Sequence, residues 1–243
     1  MSDAWIDIVG ASGTDMLLIA DHASNRLPDG IDLGLAAAAA MQEHVAFDIG
    51  VAPLARALCR QLGCRAVLGG VSRLLIDLNR EEDAAGLIPE TSDNHIITGN
   101  AGLSAEQREQ RLAVYWRPYH DHISEIISAT APKLLISLHS FTPRLATSDE
   151  ARPWQIGILY NRDDRAAVIA LPLLEQAGIV AGDNLPYSGK VLNATMNRHG
   201  EANGIPYLGI EVRQDLIGDE NGVAVWCARL APIIAAVHET LMR

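Results

Sequence analysis

The chain has 243 residues, 49% of them hydrophobic and 20% charged, proportions of an ordinary globular domain and not of a disordered chain. Its 30 acidic residues outnumber 19 lysines and arginines, giving a net charge of −11. That balance argues against a general binder of nucleic acid or anionic membrane, whose footprint is basic, but leaves room for a small anionic ligand at a local arginine cluster.

In chain order, Met16 to Ala20 is an apolar run that predicts a buried strand ending at Asp21. Ala36 to Ala40 predicts a loop-to-helix entry. Val45, Ile49, Ala52, Ala55 and Leu58 recur at helical spacing and predict a helix over 41–62, closed by Gly63. Arg65 to Leu68 and Leu74 to Leu78 read as strands. Ser104 and Gln107 form a capping box opening a long helix to about Ala129, which Pro118 is expected to bend. Lys133 to Leu138 and Gln155 to Tyr160 are strands, Asp163 to Ala177 is a helix, Tyr207 to Val212 is a strand, and Gly222 to Leu241 is the last helix. Strands alternating with helices predict one domain over 1–243, built on a mostly parallel sheet covered on both faces.

Three cysteines, Cys59, Cys64 and Cys227, are too few and too scattered for a disulfide framework or a zinc knuckle. No apolar run approaches the ~20 residues of a membrane span. The first residues lack the basic and apolar parts of a signal peptide. The expectation is a cytoplasmic protein, monomeric or a small homo-oligomer.

Ligands of such sheets sit at the carboxyl ends of the strands. Asp21 and His22, Asn79 and Arg80, His139 and Ser140, and Glu211 and Arg213 all fall at predicted strand ends. Long connections at 81–102, 141–154 and 182–206 adjoin them and read as binding loops. Two strand-end histidines suit a shared zinc ion, with a third ligand still to be found; the plainer alternative is that each bonds a loop. Asn25, Asp21, Asp48 and Asp77 are the nearby oxygen donors. His44 and Asp48 share a predicted helix face, as a second metal pair or a structural one. Glu211 fits a general base, or an ion pair with an arginine. Arg73, Arg80, Arg117, Arg144 and Arg213 suit carboxylate recognition, unless the many acidic residues claim them. His120 and Tyr119 share a bent helix with Arg117, and His199 sits in a glycine-bearing loop. The sequence holds no phosphate loop, G-x-G-x-x-G after the first strand, G-x-S-x-G elbow or H-E-x-x-H helix.

Six segments, ADHASNRLP, HVAFDIGVAPLARAL, VSRLLIDLNR, YWRPYHDHI, LLISLHSFTP and RHGEANGIPYLGIEVRQDL, run in order from about Leu17 to Leu216. Together they resemble the N-formylglutamate amidohydrolase family, which in turn is similar to zinc carboxypeptidases and succinylglutamate desuccinylase-like hydrolases. The resemblance implies a three-layer α/β/α sandwich with a mixed sheet. It implies hydrolysis of N-formyl-L-glutamate to formate and glutamate in histidine catabolism, with a divalent metal, zinc first. Carried over, His22 and His139 are metal ligands and Glu211 is the catalytic base, while Asn25 stands where the family pattern has an acidic ligand, so that Asn25, Asp21 or Asp48 completes the set. Arg73 and His120 are expected in catalysis. Arg80, Asn79, Arg117, Tyr119, Arg144, Arg213 and His199 are expected to bind a small anionic N-acyl amino acid. The alternatives are another N-acyl amino acid or peptide as substrate, or a metal-free binder of acidic metabolites on the same fold.

Overall fold

The computed structural model describes residues 4–10, 14–34, 40–144 and 152–243. Its strands and helices are β1 (Trp5–Ile8), β2 (Met16–Ala20), α1 (Val51–Leu62), β3 (Arg65–Gly69), β4 (Thr91–Ser92), β5 (His95–Ile96), α2 (Ala105–Arg111), α3 (Arg117–Thr130), β6 (Leu134–Phe141), β7 (Ile156–Leu159), α4 (Arg165–Gln176), β8 (Ala181–Asp183), α5 (Ala194–His199), β9 (Tyr207–Arg213) and α6 (Glu220–Leu241). Seven strands form one sheet in the order β1-β3-β2-β6-β9-β7-β8, and β4 and β5 pair separately. β3, β2, β6 and β9 are parallel. β1 and β7 run against their neighbours β3 and β9, and β8 follows β7.

Side chains alternate between the two faces of each strand. Leu18, Leu68, Ile136 and Ile210 face a core covered by α1, α4 and α6. Leu17, Ile19, Val67 and Leu135 face a second core, closed by Trp116, Tyr119 and Ile123 near α3 and by Met196 of α5. Burial on both faces is why these strands read as continuous apolar runs. The result is the expected three-layer α/β/α arrangement. α6 departs from the expectation about apolar runs: its 22 residues are long and apolar enough to cross a membrane. It nevertheless buries Trp226, Leu230, Ile234 and Val237 in the first core, each burial worth roughly 2 kcal/mol, as in a core helix. The three cysteines are free and buried.

Several elements differ from expectation for identifiable reasons. Residues 41–50 are turns rather than helix, tied down by the Asp48 N–H, which donates to the His22 carbonyl at 2.8 Å. The helix begins only at Val51, with Pro53 in its first turn, where a missing N–H costs little. Of the stretch Ala36 to Ala40, residues 36–39 lie outside the described residues. Leu74 to Leu78 is buried but is not a strand. Its carbonyls go to side chains instead: Leu74 accepts from Asn100, Leu75 from Arg111 and Leu78 from His120, at 2.8, 2.8 and 3.0 Å. The capping box at Ser104 and Gln107 is present. In place of a simple bend, the chain makes a π-helical turn over Leu112–Trp116, so that Pro118 falls in the first turn of α3. β6 and β9 run on past the predicted ends to Phe141 and Arg213, which puts His139, and not only Glu211, inside a strand.

Candidate active site

From β2 the chain passes to β3 on one side, and β6 flanks β2 on the other. Such a reversal opens a crevice at the carboxyl ends of the strands. Asp21 and His22 emerge from β2 at that edge, and His139 on β6 stands in register with Glu211 on β9. Asp48 arrives through its backbone bond to His22. Asp77 arrives from the buried turn, its N–H donating to the Leu87 carbonyl at 2.7 Å.

The two imidazoles are arranged alike. His22 places Nε2 2.6 Å from Asp77 Oδ1 and Nδ1 3.6 Å from Asp48 Oδ2. His139 places Nδ1 2.9 Å from Asp48 Oδ2 and Nε2 3.3 Å from Asp21 Oδ2. Each ring thus turns one nitrogen to Asp48 and backs the other with an aspartate, the arrangement that fixes a ligand histidine's tautomer. Asp21 accepts in turn from Tyr119 Oη at 2.8 Å and Thr195 Oγ1 at 3.0 Å. Arg73 spans Asp48 and Asp77, at 3.3 and 3.0 Å. His22, Asp48 and His139 offer donor atoms all within 4.8 Å of one another. His22 Nδ1, His139 Nε2, Asp21 Oδ2 and Glu211 Oε2 are buried without a hydrogen-bond partner. Orphaned polar atoms cost roughly 1–3 kcal/mol each. Two imidazoles and a carboxylate converging on one point, with His22 Nδ1 left unpartnered on the side of Asp48, fit a zinc-type cation.

Considering the protein charges alone, burial opposes ionisation of every group here. The carboxyls of Asp48 and Asp77 are nevertheless held well below the usual range, chiefly by His22, with His139 acting on the first and Arg73 on the second. Burial also pulls His139 down, but the carboxylates of Asp21 and Asp48 beside it prevail and raise it to about 10. Glu211 goes the other way: burial, reinforced by the charge on Asp48, pushes it up to about 7 against the pull of His139. The cavity in front of these groups is about 170 Å³, and its wall includes Arg73, Asn79, Arg80, Ser140, Thr142 and Tyr187.

The structure thus gathers His22, His139, Glu211, Arg73, Asn79 and Arg80. Arg73 lines the cavity but is committed to two aspartates. Arg80 keeps its head at the rim, with only a 3.6 Å approach to Asp77. Asn79 is oriented by the Thr195 N–H, which donates to its Oδ1 at 3.0 Å.

Other expectations are corrected. Asn25 gives its amide N–H to the Met41 carbonyl at 2.8 Å and does not line the cavity, whereas Asp48, one of the candidate third ligands, lies beside both histidines. Tyr119 braces Asp21 and does not line the cavity. Arg117 is paired with Glu82 and Glu109, and Arg213 with Asp215. Arg144 is exposed, and its carbonyl accepts from Thr142 at 2.6 Å. His120 and His199 are buried, 2.9 Å apart at Nδ1 and Nε2, and neither lines the cavity. His44 bonds Asp93 at 3.0 Å rather than sharing a metal with Asp48. Tyr187, also on the cavity wall, lies in the long connection at 182–206, where no spacing in the sequence marks it.

A model of the N-formylglutamate amidohydrolase family matches residues 14–218. N-formylglutamate deformylase from Pseudomonas aeruginosa is 30% identical over 120 residues, covering 45% of this chain and 44% of that protein. Its counterpart from Pseudomonas putida is 33% identical over 115 residues, covering 43% and 42%. The matched stretch therefore spans less than half the length of these curated relatives. The crystal structure of gene product Atu2144 from Agrobacterium tumefaciens is similar throughout, with a TM-score of 0.93 and 30% identity over 99% of this chain and 96% of that one.

Proposed function

The chain belongs to the N-formylglutamate amidohydrolase family, and on that premise we propose that it hydrolyses the amide of a short N-acyl amino acid, N-formyl-L-glutamate first, to formate and the free amino acid. The observation that supports this most is the buried His22–Asp48–His139 cluster sharing one cavity with Glu211. The feature that favoured a metal-free binder, Asn25 at the acidic position, loses its force because Asp48 supplies the carboxylate.

His22, Asp48 and His139 would hold a divalent cation, zinc by donor type, whose Lewis acidity polarises a carbonyl and acidifies water. Asp77 and Asp21 keep the imidazoles in the ligating tautomer, and Arg73 holds Asp48 and Asp77 in place. Glu211, poised near neutrality by burial, takes a proton from the attacking water as oxygen bonds to the acyl carbon. It returns that proton to the nitrogen as the carbon–nitrogen bond breaks, so the amine leaves neutral. Arg80 at the rim meets a substrate carboxylate.

The test is hydrolysis of N-formyl-L-glutamate by the purified protein, with a chelator and then with zinc restored. Chelator-sensitive turnover that zinc rescues is the expected result. If zinc-loaded protein cleaves no N-formyl or N-acetyl amino acid, the reading fails.

A further inference from the structure

We propose that Tyr187 is a further catalytic residue, whose hydroxyl donates a hydrogen bond to the scissile carbonyl oxygen and to the oxyanion it becomes. The proposal rests on the amide-hydrolysis reading and adds a donor that reading lacks. A hydrolase of this kind needs donors aimed where charge develops.

The cavity wall carries three hydroxyls, those of Ser140, Thr142 and Tyr187. Ser140 spends its proton on the Ile49 carbonyl at 3.0 Å and Thr142 on the Arg144 carbonyl at 2.6 Å. Tyr187 is the reverse case. Its Oη accepts from Arg152 Nη1 at 3.1 Å, and no hydrogen bond donated by it is found among the described residues. A phenol has one proton, and here it is unspent. Arg73, another donor on the wall, is already bound to Asp48 and Asp77.

Arg152 holds the phenol. Its guanidinium carbon lies 4.9 Å from the centre of the Tyr187 ring, and Nη1 also reaches the Thr142 carbonyl at 3.1 Å. A cationic donor on the phenol oxygen polarises the O–H and makes it a stronger donor in its turn.

The backbone carrying Tyr187 is pinned as well. Asn184 Oδ1 accepts from the N–H groups of Tyr160 and Gly189 at 3.1 and 3.0 Å, and the Asn184 N–H donates to the Ile158 carbonyl at 2.9 Å. Gly157 and Gly182 pair across β7 and β8, and the chain returns over them. A Cβ at Gly157 would stand 2.6 Å from the Leu185 carbonyl oxygen, and one at Gly182 would stand closer still. Only bare backbone lets the loop lie against these two strands.

The experiment compares zinc-loaded wild type, Tyr187→Phe, Arg152→Met and the double variant with N-formyl-L-glutamate. Tyr187→Phe keeps the ring and removes the hydroxyl. It is expected to lower kcat about 100-fold or more, with KM within about 3-fold. Calorimetry with N-phosphoryl-L-glutamate, a tetrahedral mimic, is expected to show about 10-fold weaker binding, while binding of L-glutamate is unchanged. Arg152→Met is expected to lose less than Tyr187→Phe, and the double variant no more than Tyr187→Phe alone, because Arg152 acts through the phenol. An active wild type whose Tyr187→Phe variant keeps its kcat overturns this proposal and leaves the amide reading standing. Equal losses for mimic and product also overturn it, since they mark a packing role. A wild type that neither hydrolyses the amide nor binds the mimic overturns both.

Discussion

Lowering the pH from 6 to 5 is expected to destabilise the protein by about 1 kcal/mol, through protons that the fold refuses and one that it keeps. His120 and His199 are 2% and 1% exposed. His120 Nε2 faces the Leu78 carbonyl and must carry the ring proton, which leaves Nδ1 to accept from His199. A second proton on His120 would confront the N–H of its partner. Burial, aided by the neighbouring His199, takes His120 down to about 3 from an ordinary 6.5, and burial takes His199 down to about 4. Between pH 6 and 5 the unfolded chain therefore carries both protons and the folded protein carries neither, so stability falls as pH falls. Glu211 acts in the opposite sense: at about 7 when folded against an ordinary 4.5, it keeps a proton that the unfolded chain has lost. His22 and His139, both raised, are largely protonated in either state over this interval. The net difference is about one proton, worth about 1.4 kcal/mol per pH unit. Urea unfolding at pH 5, 5.5 and 6, with a chelator present, reads this slope. Glu211→Gln is expected to roughly double it and His199→Gln to bring it near zero. A wild-type slope of the opposite sign, or a Glu211→Gln slope equal to wild type, would refute this placement of the protons.

Competition with a chromogenic chelator is expected to show zinc affinity falling by at least about 100-fold in Asp48→Ala, whereas Asn25→Ala stays within about 3-fold. Asp21→Asn turns an amide toward His139 Nε2 and moves the ring proton to the nitrogen facing Asp48. A loss of about 10- to 100-fold in zinc affinity is expected there, with thermal stability of the metal-free protein nearly unchanged, and wild-type affinity would remove Asp21 from the site. In steady-state kinetics, Arg80→Met is expected to raise KM by about 10-fold or more, and Arg213→Met to leave it unaltered, because Arg213 is occupied by Asp215 in a surface pair worth under about 1 kcal/mol.

His22, His139 and Glu211 are legible in the sequence because each interrupts or ends a run of residues buried on both faces, where a polar side chain needs a reason. Asp48 is harder to read, because it sits in turns whose apolar spacing imitates a helix, and it reaches the site through a backbone bond to His22. The same limit explains Leu74 to Leu78: an apolar run shows burial, but whether its carbonyls meet a strand or the side chains of Asn100, Arg111 and His120 depends on contacts far along the chain. Arginine positions near strand ends predict charge but not its fate. Arg213 meets Asp215 two residues on, while Arg117 meets Glu82 across 35 residues. β1 and β8, four and three residues long, are too short and too exposed to carry a recognisable period.

The direction of β7 has a consequence for how such a protein diversifies. The groups that perform the proposed cleavage stand on or beside the parallel strands β2, β6 and β9, whereas Tyr187 and its support hang from the reversed strands β7 and β8. The proposed proton carrier and the proposed oxyanion donor are thereby drawn from strands of opposite direction that meet along the seam between β9 and β7. Substitutions at Tyr187 or in the strands beneath it are therefore expected to cost turnover much as those on the parallel side do, so neither half of the sheet is free to drift while the proposed reaction is kept.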